Sequence, residues 1–304
     1  MNQLQSIQFD MLKEFISICD DLNLTYYLVC GSCLGTVKYK GFIPWDDDLD
    51  VALPRADYDV FIERAQSMLP NYIFLQNCHT DEKYPLYFCK LRNNNTTFIE
   101  NVFRYIPMNH GVYIDIFPLD GYPKDNTTIL EFEREKVLFN RRRSVRYYYN
   151  RFSKQNIRHP KAIVIYLMYK IFGYCSNTQK TIEKFEQVTA KFDCQTSDLW
   201  CNHGNWQGKL EYAPREQYGN GTWATFEGLK VRIPENYDAY LSQKYGNWRA
   251  DLPDDQKVPS HGHLVDLSRP YTDYIVKLKN GKIRLKTSEE LLSSGITPPE
   301  GYKY

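Results

Sequence analysis

Phe42-Ile43-Pro44-Trp45-Asp46-Asp47-Asp48-Leu49-Asp50-Val51-Ala52-Leu53 is the stretch whose reading decides the fold. Four carboxylates in five positions repel one another: a pair about 4 Å apart costs roughly 1 kcal/mol in water and roughly 4 kcal/mol at an effective dielectric near 20. The cluster therefore calls for a cation. Read as a strand from Asp48 to Leu53, the chain places Asp48 and Asp50 on one face and Leu49 and Val51 on the other. Two carboxylates then face one spot while the apolar face anchors the strand in a core. Oxygen-only donors of this kind suit a hard cation such as Mg²⁺, which takes one or two carboxylates plus water and substrate phosphates. An EF-hand fits less well, because Val51 stands where that loop needs glycine and Asp57 where it needs glutamate. A solvated acidic loop would not need the interleaved Leu49, Val51 and Leu53.

Upstream, Leu4, Ile7, Met11, Phe15, Ile18 and Leu22 recur at helical spacing, which predicts an amphipathic helix over residues 3–22 that Asn23 breaks. Thr25 to Cys30 reads as a buried strand running into Gly31-Ser32 and a helix from Cys33 to Tyr39. A strand that ends in Gly-Ser and opens a helix lets backbone amides and a hydroxyl approach a phosphate. Cys30 and Cys33 also spell CxxC, but no second such pair exists to complete a zinc site, and neither redox nor zinc use is expected. Cys194, Cys201 and His203 are a further zinc combination that the spacing does not favour. Lys38, Lys40 and Arg55 flank the acidic stretch and suit either neutralisation of the carboxylates or a grip on substrate phosphates.

Downstream, Ala56 to Leu69 predicts a second helix, and Tyr72–Gln76, Tyr87–Arg92 and Thr96–Glu100 predict strands, the last two joined by a turn at Asn93-Asn94-Asn95. Gly111 to Gly121 reads as a buried strand in which Asp115 stands alone. Burying an unpaired carboxylate costs several kcal/mol. Either a metal shared with Asp48 and Asp50 or a cap of backbone amides or an arginine would remove that cost. Asp120-Gly121 reads as turn chemistry.

At 304 residues the chain can bury a full core as one large domain or two. The formal net charge of +1 argues against a general nucleic-acid binder. Eight cysteines without regular spacing, and no basic, apolar, small-residue leader pattern, predict a cytoplasmic compartment. The longest apolar run, Ala162 to Met168, is far below a membrane span.

Gly-Ser, then Asp-x-Asp on a strand, then a lone Asp on a later strand resembles the catalytic pattern of the DNA polymerase beta-type nucleotidyltransferase fold. More narrowly, Leu34-Gly35-Thr36-Val37, Lys40 to Val51 with Pro54-Arg55, and Tyr113 to Gly121 resemble the LicD family. So do Tyr237-Asp238-Ala239-Tyr240-Leu241 and Tyr245-Gly246-Asn247-Trp248, followed by Pro259 and His261. The resemblance implies an α+β fold: a nucleotidyltransferase-like mixed sheet flanked by helices, with a helical basic insertion and C-terminal hairpins. Residues 1–125 would form the catalytic core, 126–200 the insertion, and 201–304 the part that completes the domain. It also implies that Asp48, Asp50 and Asp115 are metal ligands for Mg²⁺ or Mn²⁺, with Asp46 as a fourth catalytic carboxylate. Gly31 and Ser32 match the phosphate-side turn; Lys38, Arg55 and His261 are further candidates for substrate binding. Family members resemble phosphocholine transferases that modify bacterial surface glycans from CDP-choline, and the related fukutin group transfers ribitol phosphate.

Residues 127–158 look helical. Between Arg134 and Lys161 ten Lys/Arg stand against one Glu, a net of +9. This is either a solvated helix face or a surface for an anionic glycan or membrane leaflet, the latter favoured by the adjoining apolar Ile163 to Phe172. Peripheral contact through residues 134–172 would place the protein at the inner face of the membrane. Thr181 to Phe192 predicts a helix, Ser197 to Trp206 a loop, Thr222 to Pro234 a hairpin around Glu227-Gly228, and Tyr237 to Tyr245 a helix ended by Gly246. The loop 251–259 delivers His261 and His263, which suit a general base or a surface role. Asn280-Gly281 predicts a last hairpin, and Thr287-Ser288-Glu289-Glu290 opens a short helix with capping-box spacing.

The expected function is transfer of a phospho-alcohol, foremost phosphocholine, from a CDP-activated donor to a hydroxyl of a cell-surface glycan such as teichoic acid or lipopolysaccharide, or of its lipid-linked precursor, with CMP released. Ribitol- or glycerol-phosphate transfer, an NTP-dependent nucleotidyltransferase and a non-catalytic carboxylate-rich metal-binding module are the alternatives. No nucleic-acid partner is expected.

Overall fold

The computed structural model describes residues 1–104, 106–137, 164, 167, 178–204, 208–259, 261–279, 283–299 and 302. Its centre is a mixed sheet in the order β1 (Tyr27–Leu28), β2 (Asp50–Pro54), β6 (Val112–Tyr122), β4 (Cys89–Asn93) and β3 (Ile73–Gln76). β2 and β6 run parallel and the other pairs antiparallel. Every residue of the eleven-residue β6 is buried. Its first part lies between β2 and β4, and its last three residues turn to a different neighbour, β7 (Leu199–Cys201), which carries β8 (Tyr212–Pro214).

Helix α1 (Gln3–Asp21) opens with a capping box between Asn2 and Gln5 and ends before Asn23, which takes the left-handed φ of 54°. Its stripe of Met11, Phe15 and Ile18 is buried, with Leu4, Ile7 and Leu22 packed at the margin, as the spacing predicts. α2 (Cys30–Tyr39) and α3 (Arg55–Met68) follow β1 and β2 and cover the same core. The β1 strand is shorter than the sequence suggests. Cys30 already belongs to α2, entered through a φ of 51° that turns the chain sharply from strand to helix.

Two expectations are corrected. β5 (Thr97–Glu100) does not form a hairpin with β4, because β4 is already paired on both edges by β3 and β6; it pairs instead with β11 (Gly262–Asp266) from the C-terminal part. The segment expected as a loop from Ser197 contains β7, which completes the far end of β6. The hairpin β9 (Thr222–Phe226) and β10 (Leu229–Ile233) turns through positive φ at Glu227 and Gly228, as its Glu-Gly pair predicts. Its turn reaches back to the acidic stretch: Glu227 N–H donates to the Lys40 carbonyl, and the Phe42 N–H donates to Glu227 Oε1.

Helix α4 (Thr178–Thr189) is described. Residues 126–137 are helical, but most of the basic run, including Arg141 to Arg143, Arg146 and Tyr147 to Tyr149, and most of the apolar stretch 163–172, lie outside the described residues. α5 (Tyr237–Tyr245) ends at Gly246 with a φ of 64°. β12 (Ile275–Lys277) pairs with β13 (Ile283–Leu285), and α6 (Ser288–Ser293) starts at the expected capping box on Thr287. No helix among the described residues is long and apolar enough to cross a membrane.

Candidate active site

The register of the sheet assembles the site. Asp50 on β2 stands opposite Asp115 on β6, and Asp115 stands opposite Lys90 on β4. Paired residues of neighbouring strands share a face. Asp50, Asp115 and Lys90 therefore form one row across three strands, over a layer in which Leu49, Val51, Ile114 and Ile116 are fully buried.

The acidic loop that leads into β2 is held from below by α1. Gln8 Nε2 donates to the carbonyls of Asp47 and Tyr113 at 2.9 and 3.2 Å, and Gln5 Nε2 donates to those of Ile43 and Asp46. From the side, the Ser32 hydroxyl oxygen accepts the Asp50 N–H at 2.8 Å, placing the first turn of α2 against the start of the strand. A Cβ on Gly31 would lie 2.8 Å from Asp46 Oδ2, so only glycine lets that carboxylate approach the helix. Tyr240 on α5 accepts the Cys30 N–H at 3.1 Å, and Asp238 accepts the Trp248 indole N–H at 3.0 Å. Residues far apart in the chain thus brace the same corner.

Asp47 faces a different partner from its neighbours. Its Oδ2 accepts the N–H groups of His261 and Gly262, and its Oδ1 lies 2.7 Å from His261 Nδ1. Burial raises the Asp47 carboxyl, but the His261 ring and these amides outweigh it and leave it below the usual range. Burial disfavours a charged His261, yet Asp47 and Asp48 (Oδ2 at 3.6 Å) hold its ring up to about 10. His261 therefore presents an imidazolium beside the acidic loop at neutral pH.

The other carboxylates are short of positive charge. Burial, with Asp48 as the nearest like charge, pushes Asp46 up to about 8. Burial also raises Asp48, and burial with Asp48, Asp115 and Asp46 raises Asp50 well above its ordinary value. Asp115 reaches about 6 because burial and Glu100 outweigh Lys90, whose Nζ lies 2.8 Å from Asp115 Oδ1. The cap on this lone carboxylate is thus a lysine, rather than the amides or arginine weighed from the sequence. The donor atoms of Asp48, Asp50 and Asp115 do not form a trio within 4.8 Å of one another in this conformation.

Lys90 is 2 % exposed, lies 3.3 Å from the centre of the Tyr113 ring, and is 3.6 Å from Glu100 Oε2. Arg92, also buried, is fully engaged: it donates to Gln76 Oε1, the Gly111 carbonyl and Glu100 Oε2. Sequence reasoning passed over Lys90, Arg92 and Glu100. The signal was there, since two cations at alternate positions of an otherwise apolar strand mirror Asp48 and Asp50. Two predicted cations find partners elsewhere. Lys38 Nζ pairs with Asp251 at 2.8 Å and with the carbonyls of Arg249 and Ala250, while Arg55 makes a two-pronged pair with Asp120 and also reaches Asp59. Asp120 is therefore a buried counter-ion within β6 and not the turn residue that the sequence suggested. Cys30 and Cys33 are both buried and form no disulfide, and burial pushes their thiols up, away from redox chemistry.

Residues 23–161 match the family described as LicD/FKTN/FKRP, nucleotidyltransferase domain. A lipopolysaccharide cholinephosphotransferase LicD of Haemophilus influenzae is 26% identical over 280 residues, covering 86% of this chain and 96% of that protein. Residues 23–161 thus form a LicD-family domain. An uncharacterized protein of Rickettsia prowazekii is 26% identical over 116 residues, covering 38% of this chain and 40% of its own. One of Rickettsia typhi is 31% identical over 64 residues, covering 21% and 19%. The span matched to the LicD family holds the four carboxylates together with Lys90, Arg92 and Glu100, whereas His261 lies beyond it.

Proposed function

We propose that this chain is a metal-dependent transferase that moves phosphocholine from CDP-choline to a hydroxyl of a cell-surface glycan or its lipid-linked precursor, releasing CMP, on a nucleotidyltransferase-like core over residues 1–125. The observation that carries the reading is the row of Asp50, Asp115 and Lys90 beside Asp46 and Asp48, whose carboxyls are held up for want of positive charge. The cholinephosphotransferase relative supports the choice of cargo and of a glycan acceptor.

The donor set fits a hard divalent cation, since it is all oxygen and each member is raised mainly by burial, Asp50 and Asp115 also by neighbouring carboxylates. Asp48, Asp50 and Asp115 would hold Mg²⁺ or Mn²⁺, with Asp115 turning from Lys90. A bound cation supplies charge neutralisation for the pyrophosphate and for the departing CMP. Asp46, held up by burial and by Asp48 beside it, suits acceptance of the proton from the acceptor hydroxyl as its oxygen attacks the phosphorus bearing choline. The imidazolium of His261, oriented by Asp47, suits a grip on a phosphate oxygen. The first turn of α2, at Gly31 and Ser32, offers amides to the same group. Of the aromatic residues near the carboxylates, Tyr113 and Phe117 are buried at 1% and 4% exposure. Trp45 is half-buried, edge-on to Tyr39 and has Lys257 Nζ 5.5 Å from its ring centre, so a quaternary ammonium would take the place of that lysine over the ring.

Incubation of the purified protein with Mg²⁺ and CDP-choline, CDP-ribitol or CDP-glycerol tests this. CMP released from CDP-choline ahead of the others is expected. Preference for CDP-ribitol or CDP-glycerol reassigns the cargo. Pyrophosphate released from an NTP, with no CMP from any CDP-alcohol, overturns the reading in favour of nucleotidyl transfer.

A further inference from the structure

A second cluster lies away from the carboxylate row, where the loop after β3 meets α4. Cys78 Sγ, a ring nitrogen of His79 and a carboxylate oxygen of Glu186 all lie within 4.8 Å of one another, the one such trio among the described residues. We propose that Cys78, His79 and Glu186 bind a zinc ion that fastens α4 to the edge of the central sheet.

The donor types select the metal. A thiolate, an imidazole and a carboxylate together suit Zn²⁺ and exclude the Mg²⁺ expected at the carboxylate row, which takes oxygen alone. The backbone of the two loop ligands is fixed in advance. Asn77 Oδ1 accepts the N–H groups of His79 and Thr80, and the Thr80 hydroxyl accepts the Asn77 N–H and donates to the Leu75 carbonyl. The facing surface of α4 is polar at one-turn spacing. Gln179 Nε2 is 3.2 Å and Glu183 Oε1 3.8 Å from His79 Nδ1, and Glu186 follows three residues on. Glu183 or water is then at hand for the fourth position of a tetrahedral site.

Burial also fits. Cys78 is 2% exposed, His79 half-exposed and Glu186 partly buried. In a tetrahedral zinc site donors stand about 3.3–3.8 Å apart, so side-chain rotations of about 1 Å close the present spacing. Binding displaces the Cys78 thiol proton to solvent and leaves a thiolate on the metal. The proposal does not depend on the transferase reading.

The test uses the full chain, freed of metal with a chelator that is then removed, and titrated with Co²⁺ alone. One equivalent giving a near-ultraviolet thiolate-to-cobalt band and tetrahedral visible bands, both lost on adding Zn²⁺, is expected. Cys78→Ser abolishes the thiolate band, and His79→Ala, at a half-exposed side chain, weakens binding at least about tenfold. The Asp48→Asn/Asp50→Asn double variant keeps the band, which separates this site from the carboxylate row. Absence of the band in the unaltered protein, its persistence in Cys78→Ser, or unchanged affinity in His79→Ala overturns the proposal.

Discussion

Replacing Asp48 with asparagine should make the metal-free protein more stable while abolishing turnover. Asp48 is the like charge common to three neighbours, raising the carboxyls of Asp46, Asp50 and Asp115. A pair of carboxylates about 4 Å apart costs between about 1 and about 4 kcal/mol as the effective dielectric falls from that of water to near 20. Asp46, held up to about 8, is half ionised at pH 8, so about half of one such pair is relieved there. Losing the 3.6 Å contact of Asp48 with the half-exposed His261 returns less than about 1 kcal/mol. The net gain is about 1 kcal/mol at pH 8, or about 2–4 °C in Tm. The sign with pH follows from the raised carboxyls. Their contribution to stability is fully present below the ordinary carboxylate range near 4 and is lost as pH rises through 8. The variant and the parent should therefore melt together at pH 5 and separate towards pH 8. With Mg²⁺ at about 100 times its Kd the parent gains about 2.7 kcal/mol and the variant much less. Thermal melts at pH 5 and 8, in chelator and in Mg²⁺, measure all four points. A variant less stable than the parent at pH 8 in chelator, or equal stabilisation of both by Mg²⁺, refutes the reasoning.

Lys90→Met leaves Asp115 and Glu100 buried beside a missing cation and should cost about 3–5 kcal/mol in urea unfolding at pH 7.5, with part restored by Mg²⁺; a change below about 0.5 kcal/mol would show that Lys90 does not neutralise the row. His110 is fully buried, with Nε2 2.9 Å from the Ile106 carbonyl, and burial lowers its ring to about 4. Stability should fall by about 3 kcal/mol as pH drops from 6.5 towards 4, because the unfolded chain takes up a proton that the folded one refuses, and His110→Gln should flatten that slope in acid unfolding curves. A Cβ at Gly111 would fall on the backbone carbonyl of Asn93, so Gly111→Ala should lose about 1–3 kcal/mol and lower turnover by parting β4 from β6 next to Lys90 and Asp115; unchanged melting would mean that the strands yield freely.

Much of this was legible before any coordinates, wherever a local signal and its physical consequence lay close together in the chain. The alternation of Asp48, Leu49, Asp50 and Val51 foretold a strand here, although β2 begins only at Asp50 and Asp48 stays in the loop before it, and the isolation of Asp115 in an apolar run foretold that it needed company. Turn and cap chemistry at Glu227-Gly228, Gly246 and Thr287 marked element ends to the residue. Pairings between distant segments could not be read. Nothing in Lys90 alone tells which carboxylate it will face; only the β4–β6 register does. Likewise β5 pairs with β11, more than 160 residues onward, because β6 has taken the edge that a local hairpin would have used. Arg55 suited either neutralisation of the acidic stretch or a grip on phosphates, and nothing local named its buried partner Asp120, which read as turn chemistry. Gln5 and Gln8, polar positions that the apolar stripe of α1 does not mark, are buried and hold the acidic loop in place.

The central claim is that carboxylates from two neighbouring strands share one divalent ion. Anomalous difference density from crystals grown with Mn²⁺ and CDP-choline tests it most directly. A peak bonded to oxygens of Asp48, Asp50 and Asp115, with Asp115 turned away from Lys90, is the expected result. Density elsewhere, with the 2.8 Å Lys90–Asp115 contact intact, would contradict it.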